Sequence, residues 1–369
     1  MSKINIQGLH KQFGKSVALD ELDLEINDKE LIVLLGPSGC GKTTTLNCVA
    51  GIEKPSSGRI LFDDRDVTDL PSHTRNVAMV FQSAILYPHL TASDNIKMSL
   101  RNTHMSKHKM DGRVQETAEL LDITHLLGKL PYEMSGGERQ RVATAKAIVR
   151  NPSVFLMDEP FASLDAALRE VFRAEITVLQ KRLGITMVFV THDQVEAMTM
   201  GDRIAVMRSG KLQQVGTPDD IYANPLNTFV AGFVGAPPMN FFQGKVVRRE
   251  NTYRFEHPKF SMEIPGKIIT CCKGEIEREE IVLGVRPQHI MLSEKKQNGM
   301  LKGSIYAIER LGKETVVIVE INGEKRFKAL IPPPFKHKMG DVIYAIPRSD
   351  YVYLFDASTG KNILEKENE

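Results

Sequence analysis

The run Gly36-Pro37-Ser38-Gly39-Cys40-Gly41-Lys42-Thr43, with Thr44 behind it, has the residue types needed to hold a polyphosphate. Its glycines let successive backbone N–H groups converge on β- and γ-phosphates, and a helix beginning near Lys42 adds its positive end. Lys42 supplies a point charge, and Thr43 offers a hydroxyl to Mg²⁺. The apolar run 31–35 precedes the loop, as a strand–loop–helix phosphate site requires. Cys40 lies inside the loop near a helix N-terminus, so it is expected to be more reactive than a buried thiol. A second apolar run, 154–157, ends at Asp158, where a carboxylate can reach a magnesium shell from the edge of a sheet. Glu159 follows and can polarise a water attacking from the γ-phosphate side. His192, Gln82 and Phe13 carry less information on their own: a lone His after an apolar run is more often structural, a single Gln has almost no specificity, and core packing is the minority reading of Phe13.

These residues need a scaffold that brings the ends of distant apolar runs together. Short runs rich in Val, Ile, Leu and Met at 32–35, 77–81, 154–157, 187–190 and 204–207 read as strands buried on both faces, as in parallel α/β sheets. Between 83 and 150 the pattern is helical. Thr91 or Ser93 can cap a helix through Leu100, 114–122 forms another, and Gly136 starts a third that runs towards Arg150. This reads as a helical subdomain inserted into the sheet. Past Ala236-Pro237-Pro238 short strands alternate with turns at Asn251, Pro265-Gly266, Asn298-Gly299, Asn322-Gly323 and Thr359-Gly360, and 315–321 and 342–346 have the β-branched spacing of a small barrel or sandwich. The charged run 275–280 reads as a solvated loop or helix turn.

Bulk properties agree with two domains, 1–235 and 236–369. The chain has 369 residues, 42% apolar and 25% charged, too many for one comfortable core. Residues 1–235 carry 26 Lys and Arg against 28 Asp and Glu, and the remainder 22 against 18; charges of −2 and +4 are too mild to advertise nucleic-acid binding. No apolar stretch is long enough to span a bilayer, and the first residues lack a signal-peptide core, so a cytoplasmic location is expected. Cys40, Cys48, Cys271 and Cys272 lack zinc or redox spacing and are expected to be free thiols.

The run Met134-Ser135-Gly136-Gly137-Glu138-Arg139-Gln140-Arg141 narrows the reading. Taken with the loop and the carboxylate pair, it resembles the signature of ATP-binding cassette (ABC) ATPases, in which Ser135, Gly136 and Gly137 of one subunit close over ATP held by another. The resemblance implies an α/β P-loop NTPase cassette with an inserted helical subdomain, then an all-β OB-like, TOBE-type domain. It makes Gln82 the Q-loop residue joining the magnesium shell to the helical subdomain, His192 the switch histidine at the γ-phosphate, and Phe13 the aromatic that stacks on adenine. Ser163-Leu164-Asp165 resembles the D-loop that crosses the dimer. Met134 and Glu138 replace the commoner Leu and Gln, and Phe161-Ala162 stands where Leu-Ser is frequent.

Further segments, among them Met239-Asn240-Phe241 and Gly284-Val285-Arg286-Pro287, resemble importer ATPases of the sugar and glycerol-3-phosphate subgroup. That resemblance implies an ATP- and Mg²⁺-dependent ATPase, a homodimer lying peripherally on the cytoplasmic face of the membrane. Two integral-membrane permeases and an extracellular solute-binding protein would complete it. Polyamine or iron import is an alternative within the class. A soluble ABC protein of translation or DNA maintenance is a third reading, but the chain has one cassette and no long coiled coil. A β domain that chiefly senses a sugar or docks a regulator is a fourth.

Overall fold

A computed structural model describes residues 2–364 except Asn102, Asn251, 273–276, Asn298, Asn322 and Glu324. By contacts the chain forms two compact units, Met1–Pro218 and Asp219–Glu369. In the first, β1 (Ile4–Phe13) and β2 (Ser16–Ile26) pair antiparallel, and β4 (Ser57–Phe62) with the short β5 (Arg65–Asp66) extends the sheet in the order β2-β1-β4-β5. β3 (Leu31–Leu35) leads through the phosphate loop into α1 (Lys42–Ala50).

β3 is the middle of a second sheet. With β6 (Val77–Val80), β7 (Val154–Asp158), β8 (Thr186–Thr191), β9 (Arg203–Arg208) and β10 (Lys211–Gly216) it gives the order β10-β9-β3-β8-β7-β6, parallel apart from β10. Every residue of β3, β7 and β8 is buried, which accounts for their unbroken apolar runs. Ile32, Leu34, Leu46, Val49, Leu156, Val188 and Val190 share one core with Ile4, Ile6 and Ile60 of the antiparallel sheet. The helix α5 (Ala166–Leu183) leads into β8, and α6 (Gln194–Met200) follows it.

The inserted helices are α2 (Ala92–Met98), α3 (Lys107–Leu120) and α4 (Gly136–Ile148), which bury Ile96, Leu100, Val114, Val142 and Ala145 in a core of their own. Of the two possible caps, Thr91 is the one used: its hydroxyl accepts the Asp94 N–H. α3 begins at Lys107, seven residues before the expected start, because its first turn, Lys107-His108-Lys109-Met110, brings only the partly buried Met110 against the core, and one apolar residue makes no pattern to detect.

The second unit opens with α7 (Pro218–Ala223) and α8 (Thr228–Phe233), whose helical character the sequence reading did not anticipate. Two five-stranded antiparallel sheets follow. The first takes the order β13-β12-β11-β14-β20, from β11 (Asn240–Arg249), β12 (Thr252–His257), β13 (Phe260–Ile264), β14 (Arg278–Val285) and β20 (Val352–Asp356). The second, β15-β19-β16-β17-β18, comprises β15 (Ile290–Ser293), β16 (Leu301–Arg310), β17 (Thr315–Ile321), β18 (Lys325–Ile331) and β19 (Val342–Pro347). Phe255, Ile281, Leu283, Val317, Val319 and Leu354 fill one core between them.

Two expectations change here. Pro265-Gly266 does not make a simple turn but starts α9 (Gly266–Thr270). In the charged run 275–280, Glu275 and Ile276 lie outside the described residues, while Arg278–Glu280 opens β14; Arg278 donates to Asp356 at 2.8 Å across the strand pair β14–β20. The turns expected at Asn251, Asn298 and Asn322 also lie outside the described residues. Gly299, Gly323 and Gly360 have φ of 83°, 78° and 69°, which a turn needs and glycine tolerates.

The segment after β6 has few regular bonds and is held by side chains of the inserted helices: Lys146 donates to the Ile85 carbonyl at 3.1 Å, and Asn95 makes the larger set of bonds. Asn95, fully buried in α2, accepts the Tyr87 N–H at 2.8 Å, and its amide nitrogen lies within 3.1 Å of the carbonyls of Tyr87, Leu90 and Thr91. Asn95→Ala strands these groups, at a cost of about 1–3 kcal/mol. Hydrogen exchange should then quicken at the Tyr87 amide while β7 and β8 stay protected; unchanged exchange at Tyr87 would remove Asn95 from this role.

Candidate active site

The phosphate loop, the Asp158-Glu159 pair, His192 and Gln82 all follow the carboxyl ends of parallel strands, on one edge of the sheet. The registers Leu35↔Thr191, Asp158↔Val190 and Val80↔Met157 place the phosphate loop beside His192, and Gln82 level with Glu159. This is the carboxyl edge, where open α/β sheets bind ligands.

The loop depends on glycines at defined places. A β-carbon on Gly36 would run into the Met207 carbonyl, and one on Gly41, at φ 106°, would stand 2.7 Å from the Ala18 carbonyl. Lys42 is buried, and its Nζ donates to the carbonyls of Gly36 and Pro37 at 2.8 and 3.0 Å, so the loop curls around its own ammonium. Pro37, Ser38 and Gly39 form the outer arc, and Thr44 is in the first turn of α1. The Thr43 hydroxyl donates to Asp158 Oδ1 at 2.9 Å. Burial pushes the Asp158 carboxyl up, against the opposing Thr43 hydrogen bond and Lys42 charge. A desolvated carboxylate beside a hydroxyl is a hard-oxygen pair that a divalent cation would stabilise, and the donor set fits Mg²⁺ completed by phosphate and water.

Glu159 leaves β7 with φ of 43°, a left-handed conformation rarely adopted by a non-glycine residue. Its N–H donates to the Val190 carbonyl at 3.0 Å, which holds the turn in place. Glu159 Oε2 then lies 3.0 Å from His192 Nδ1. The imidazole is 61% exposed and the carboxylate 22%, so the pair faces the open edge. Behind His192, the Thr191 hydroxyl donates to the buried Glu196 at 2.6 Å and accepts the Asp193 N–H at 2.9 Å, while Asp193 caps α6. Burial raises the Glu196 carboxyl. Glu196 escaped the sequence reading, although Asp193-x-x-Glu196 has the spacing of a capping box that could have signalled it.

Phe13 ends β1 with 48% of its surface exposed, and Lys11 Nζ sits 4.6 Å above its ring; it is a free aromatic face and not core packing. Gln82 lies in an exposed bend two residues beyond β6. The structure thus gathers the phosphate loop, Asp158, Glu159 and His192 into one cluster.

Ser135, Gly136, Gly137 and Asp165 form a second. The Ser135 hydroxyl accepts the Glu138 N–H at 3.2 Å, and the Glu138 carboxylate takes the Ser135 N–H at 2.7 Å. That N–H, with the Ser135 hydroxyl, holds the Glu138 carboxyl below its ordinary range, so the unusual glutamate completes a reciprocal cap with a charge suited to a helix N-terminus. Met134 is buried beneath the turn. A β-carbon on Gly136 would touch Leu164, and one on Gly137 would press on Phe172 at 3.2 Å. Asp165 caps α5, accepting the Leu168 N–H at 2.9 Å.

The expectation for Cys40 is overturned. Its thiol is buried, turned inward against Gly36, and burial pushes it up despite the Lys42 charge nearby. Cys48 is buried and pushed up to about 11, as is half-buried Cys272. Maleimide at neutral pH should label Cys271 of the folded chain before Cys40, by at least about tenfold in rate. Peptide mapping that found Cys40 labelled first would reverse this assignment.

Comparison with known proteins agrees with the geometry. Residues 19–162 match the "ABC transporter" family, 235–290 the "MalK OB fold domain" and 283–355 the "TOBE domain". The trehalose/maltose import ATP-binding protein MalK of Thermococcus litoralis is 43% identical over 99% of this chain and 100% of its own. The sn-glycerol-3-phosphate import ATP-binding protein UgpC 1 of Rhizobium johnstonii is 40% identical over 98% and 96%. Among solved structures, the dimeric post-hydrolysis state of the ATP-binding cassette MJ0796 bound to ADP and Pi is 29% identical, with a TM-score of 0.53 over 58% of this chain and 98% of that one. A phosphate loop, a strained carboxylate bonded to a histidine and a capped Ser-Gly-Gly turn, matched over the whole chain, make this protein a member of the ABC transporter ATP-binding subunits, and an ATPase.

Proposed function

We propose that the chain is the ATP-hydrolysing subunit of a carbohydrate importer, acting as a homodimer beneath two separate integral-membrane permeases on the cytoplasmic face of the membrane. An extracellular solute-binding protein would select the solute. Near-full-length similarity to trehalose/maltose and glycerol-3-phosphate import ATP-binding proteins supports the solute class. The observation that carries the catalytic reading is Glu159, held at φ 43° beside the phosphate loop and bonded to His192.

ATP stacks its base on Phe13 and lays its phosphates along the backbone of residues 36–44, where Lys42 exchanges the Gly36 and Pro37 carbonyls for phosphate oxygens. Thr43, Asp158 and Gln82 would hold a Mg²⁺, which would supply charge neutralisation at the phosphates. Glu159 orients the attacking water and accepts its proton. His192 fixes the Glu159 rotamer through its 3.0 Å contact and presents its other nitrogen to the γ-phosphate side. Ser135, Gly136 and Gly137 serve the partner's nucleotide, and Asp165 and its loop link the two sites.

Dimer closure reaches the permeases through Gln82 and the segment Tyr87-Pro88-His89-Leu90. A cleft of about 260 Å³ lined by Val80, Phe81, Ile85, Ala147 and Arg150 borders that segment, and Phe81, Ile85 and Tyr87 are exposed apolar side chains there. Among the described residues no helix is long and apolar enough to cross a membrane, so a separate membrane partner is part of the proposal. The functional boundary is placed at 235/236, with 236–369 as the dimerisation and regulatory part.

Deleting the chain from its host should abolish uptake of at least one carbohydrate, restored by the parent gene and not by Glu159→Gln. Loss of polyamine or iron uptake with all carbohydrates unaffected would refute the solute class. Purified Glu159→Gln should bind ATP yet hydrolyse it about two to four orders of magnitude more slowly, the usual worth of a positioned base. Turnover within about threefold of the parent would exclude Glu159 as the catalytic carboxylate.

In a Glu159→Gln background, a Lys42→Ala subunit mixed with a Ser135→Arg subunit leaves one dimer site with both loop and signature intact. About one occluded ATP per mixed dimer is expected, with almost none in either homodimer. Full occlusion by the Ser135→Arg homodimer would end the composite-site reading.

A further inference from the structure

Arg75 has no place in the chemistry above, yet it is 4% exposed and no carboxylate ion-pairs with it among the described residues. Its Nη1 donates to the carbonyls of Cys48 and Val49 at 2.7 and 2.9 Å, its Nε to Leu70 at 2.8 Å and its Nη2 to Thr68 at 3.0 Å. Cys48 and Val49 are in the last turn of α1, whose final carbonyls have no partner within the helix. A cation there also complements the negative end of the helix dipole. Burial lowers the Arg75 guanidinium from its ordinary range, and it remains charged. Gly51 makes room for it: at φ 72° it ends α1, and a β-carbon would stand 2.5 Å from Arg75 Nε.

The neighbour of Arg75 ties the same point to the carboxylate strand. Asn76 accepts the Ser153 N–H on its carbonyl at 2.9 Å and donates its side-chain amide to Ser153 Oγ at 2.8 Å. Ser153 immediately precedes β7, which ends at Asp158. α1 is therefore fastened against β7 at both ends, by Thr43–Asp158 at its start and through Arg75-Asn76–Ser153 at its finish. At about 1.5 Å per residue the two fastenings, at Thr43 and at Cys48 and Val49, are about 8–9 Å apart along the helix, and together they forbid it to slide along its axis.

We propose that Arg75 is a positioning residue for nucleotide binding: it sets the axial position of α1, and so holds the phosphate-loop donors and Thr43 at the distance from Asp158 that Mg-ATP requires. The proposal rests on the nucleotide site and is independent of the solute. Glu159 follows Asp158 at the end of β7, but its N–H bond to the Val190 carbonyl and its contact with His192 hold it independently of α1, so loss of Arg75 acts on capture of ATP more than on the chemical step.

The test uses the full-length chain with Arg75→Met, Arg75→Lys and Gly51→Ala, reading ATPase KM and kcat, the Kd of a fluorescent ATP analogue with Mg²⁺, and Tm. Arg75→Met should raise KM and Kd about tenfold, the scale of a sub-ångström misplacement, with kcat within about threefold of the parent. Low-millimolar guanidinium, which can occupy the vacated space, should recover part of the affinity in Arg75→Met and none in the parent. Arg75→Lys, able to serve fewer carbonyls, should fall between; Gly51→Ala, by displacing the guanidinium, should resemble Arg75→Met. A merely structural Arg75 would lower Tm and kcat and leave KM within about twofold of the parent, and that result overturns the proposal. If Arg75→Met does not fold, Arg75→Lys and Gly51→Ala decide by the same KM criterion. Lys42→Ala serves as control: undiminished ATP binding there would indict the nucleotide site itself.

Discussion

Burial of β3, β7 and β8 on both faces is the constraint from which the site follows. A strand with no exposed side tolerates no charged residue along its length, so the polar groups these strands deliver come only at their ends. Parallel pairing sets those ends on one edge. Asp158 stands level with Val190, and Leu35 with Thr191, so three segments far apart in sequence bring a phosphate loop, a carboxylate pair and an imidazole into one cluster. The same pairing explains why Glu159 accepts a strained backbone: its N–H is already committed to the Val190 carbonyl, and the turn must begin there.

Where backbone leaves the regular elements, buried polar side chains take over. Asn95 holds the segment after Gln82, Glu196 and Thr191 brace the turn at His192, and Arg75 closes the end of α1. The second unit repeats the last device. Arg286, 1% exposed, donates to the Tyr222 carbonyl at 2.7 Å and to the carbonyls of Ala231 and Val234, with its guanidinium 4.0 Å from the Tyr222 ring. A glycine again makes the space: a β-carbon at Gly235 would stand 2.6 Å from Arg286 Nη1. In both units a buried guanidinium uses its fork on helix-end carbonyls beside a glycine of positive φ, which fastens a short helix with no carboxylate ion pair among the described residues.

The departures from the commoner ABC motifs have local physical accounts. Glu138 caps the signature helix through both of its bonds to Ser135 and adds a negative charge where the dipole favours one, and Met134 fills the space under that turn. Phe161 in the D-loop segment is buried 5.3 Å from Phe189 and 6.1 Å from Phe172, which joins the loop after β7 to β8 and α5. Neither change removes the hydroxyl or the backbone donors that face outward.

The α/β cassette, the inserted helices and the β-rich second part were legible in the sequence, as were the phosphate loop, Asp158, Glu159 and His192 that the carboxyl edge gathers. Those features are written in local patterns: unbroken apolar runs, glycines at loop spacing and a carboxylate pair after a strand. Which way a side chain faces, and what desolvates it, is set by folding. Cys40 has the sequence context of a reactive thiol, but its rotamer turns it under the loop, where burial outweighs the Lys42 charge. The first turn of α3 was invisible because Met110 is its one apolar contact with the core, and the charge of Arg278–Glu280 hid a strand whose partners lie far along the chain at Asp356 and Phe355. Arg75, Glu196 and Arg286 carry no motif for a nucleotide site, because their partners are backbone carbonyls and single hydroxyls brought near only by folding.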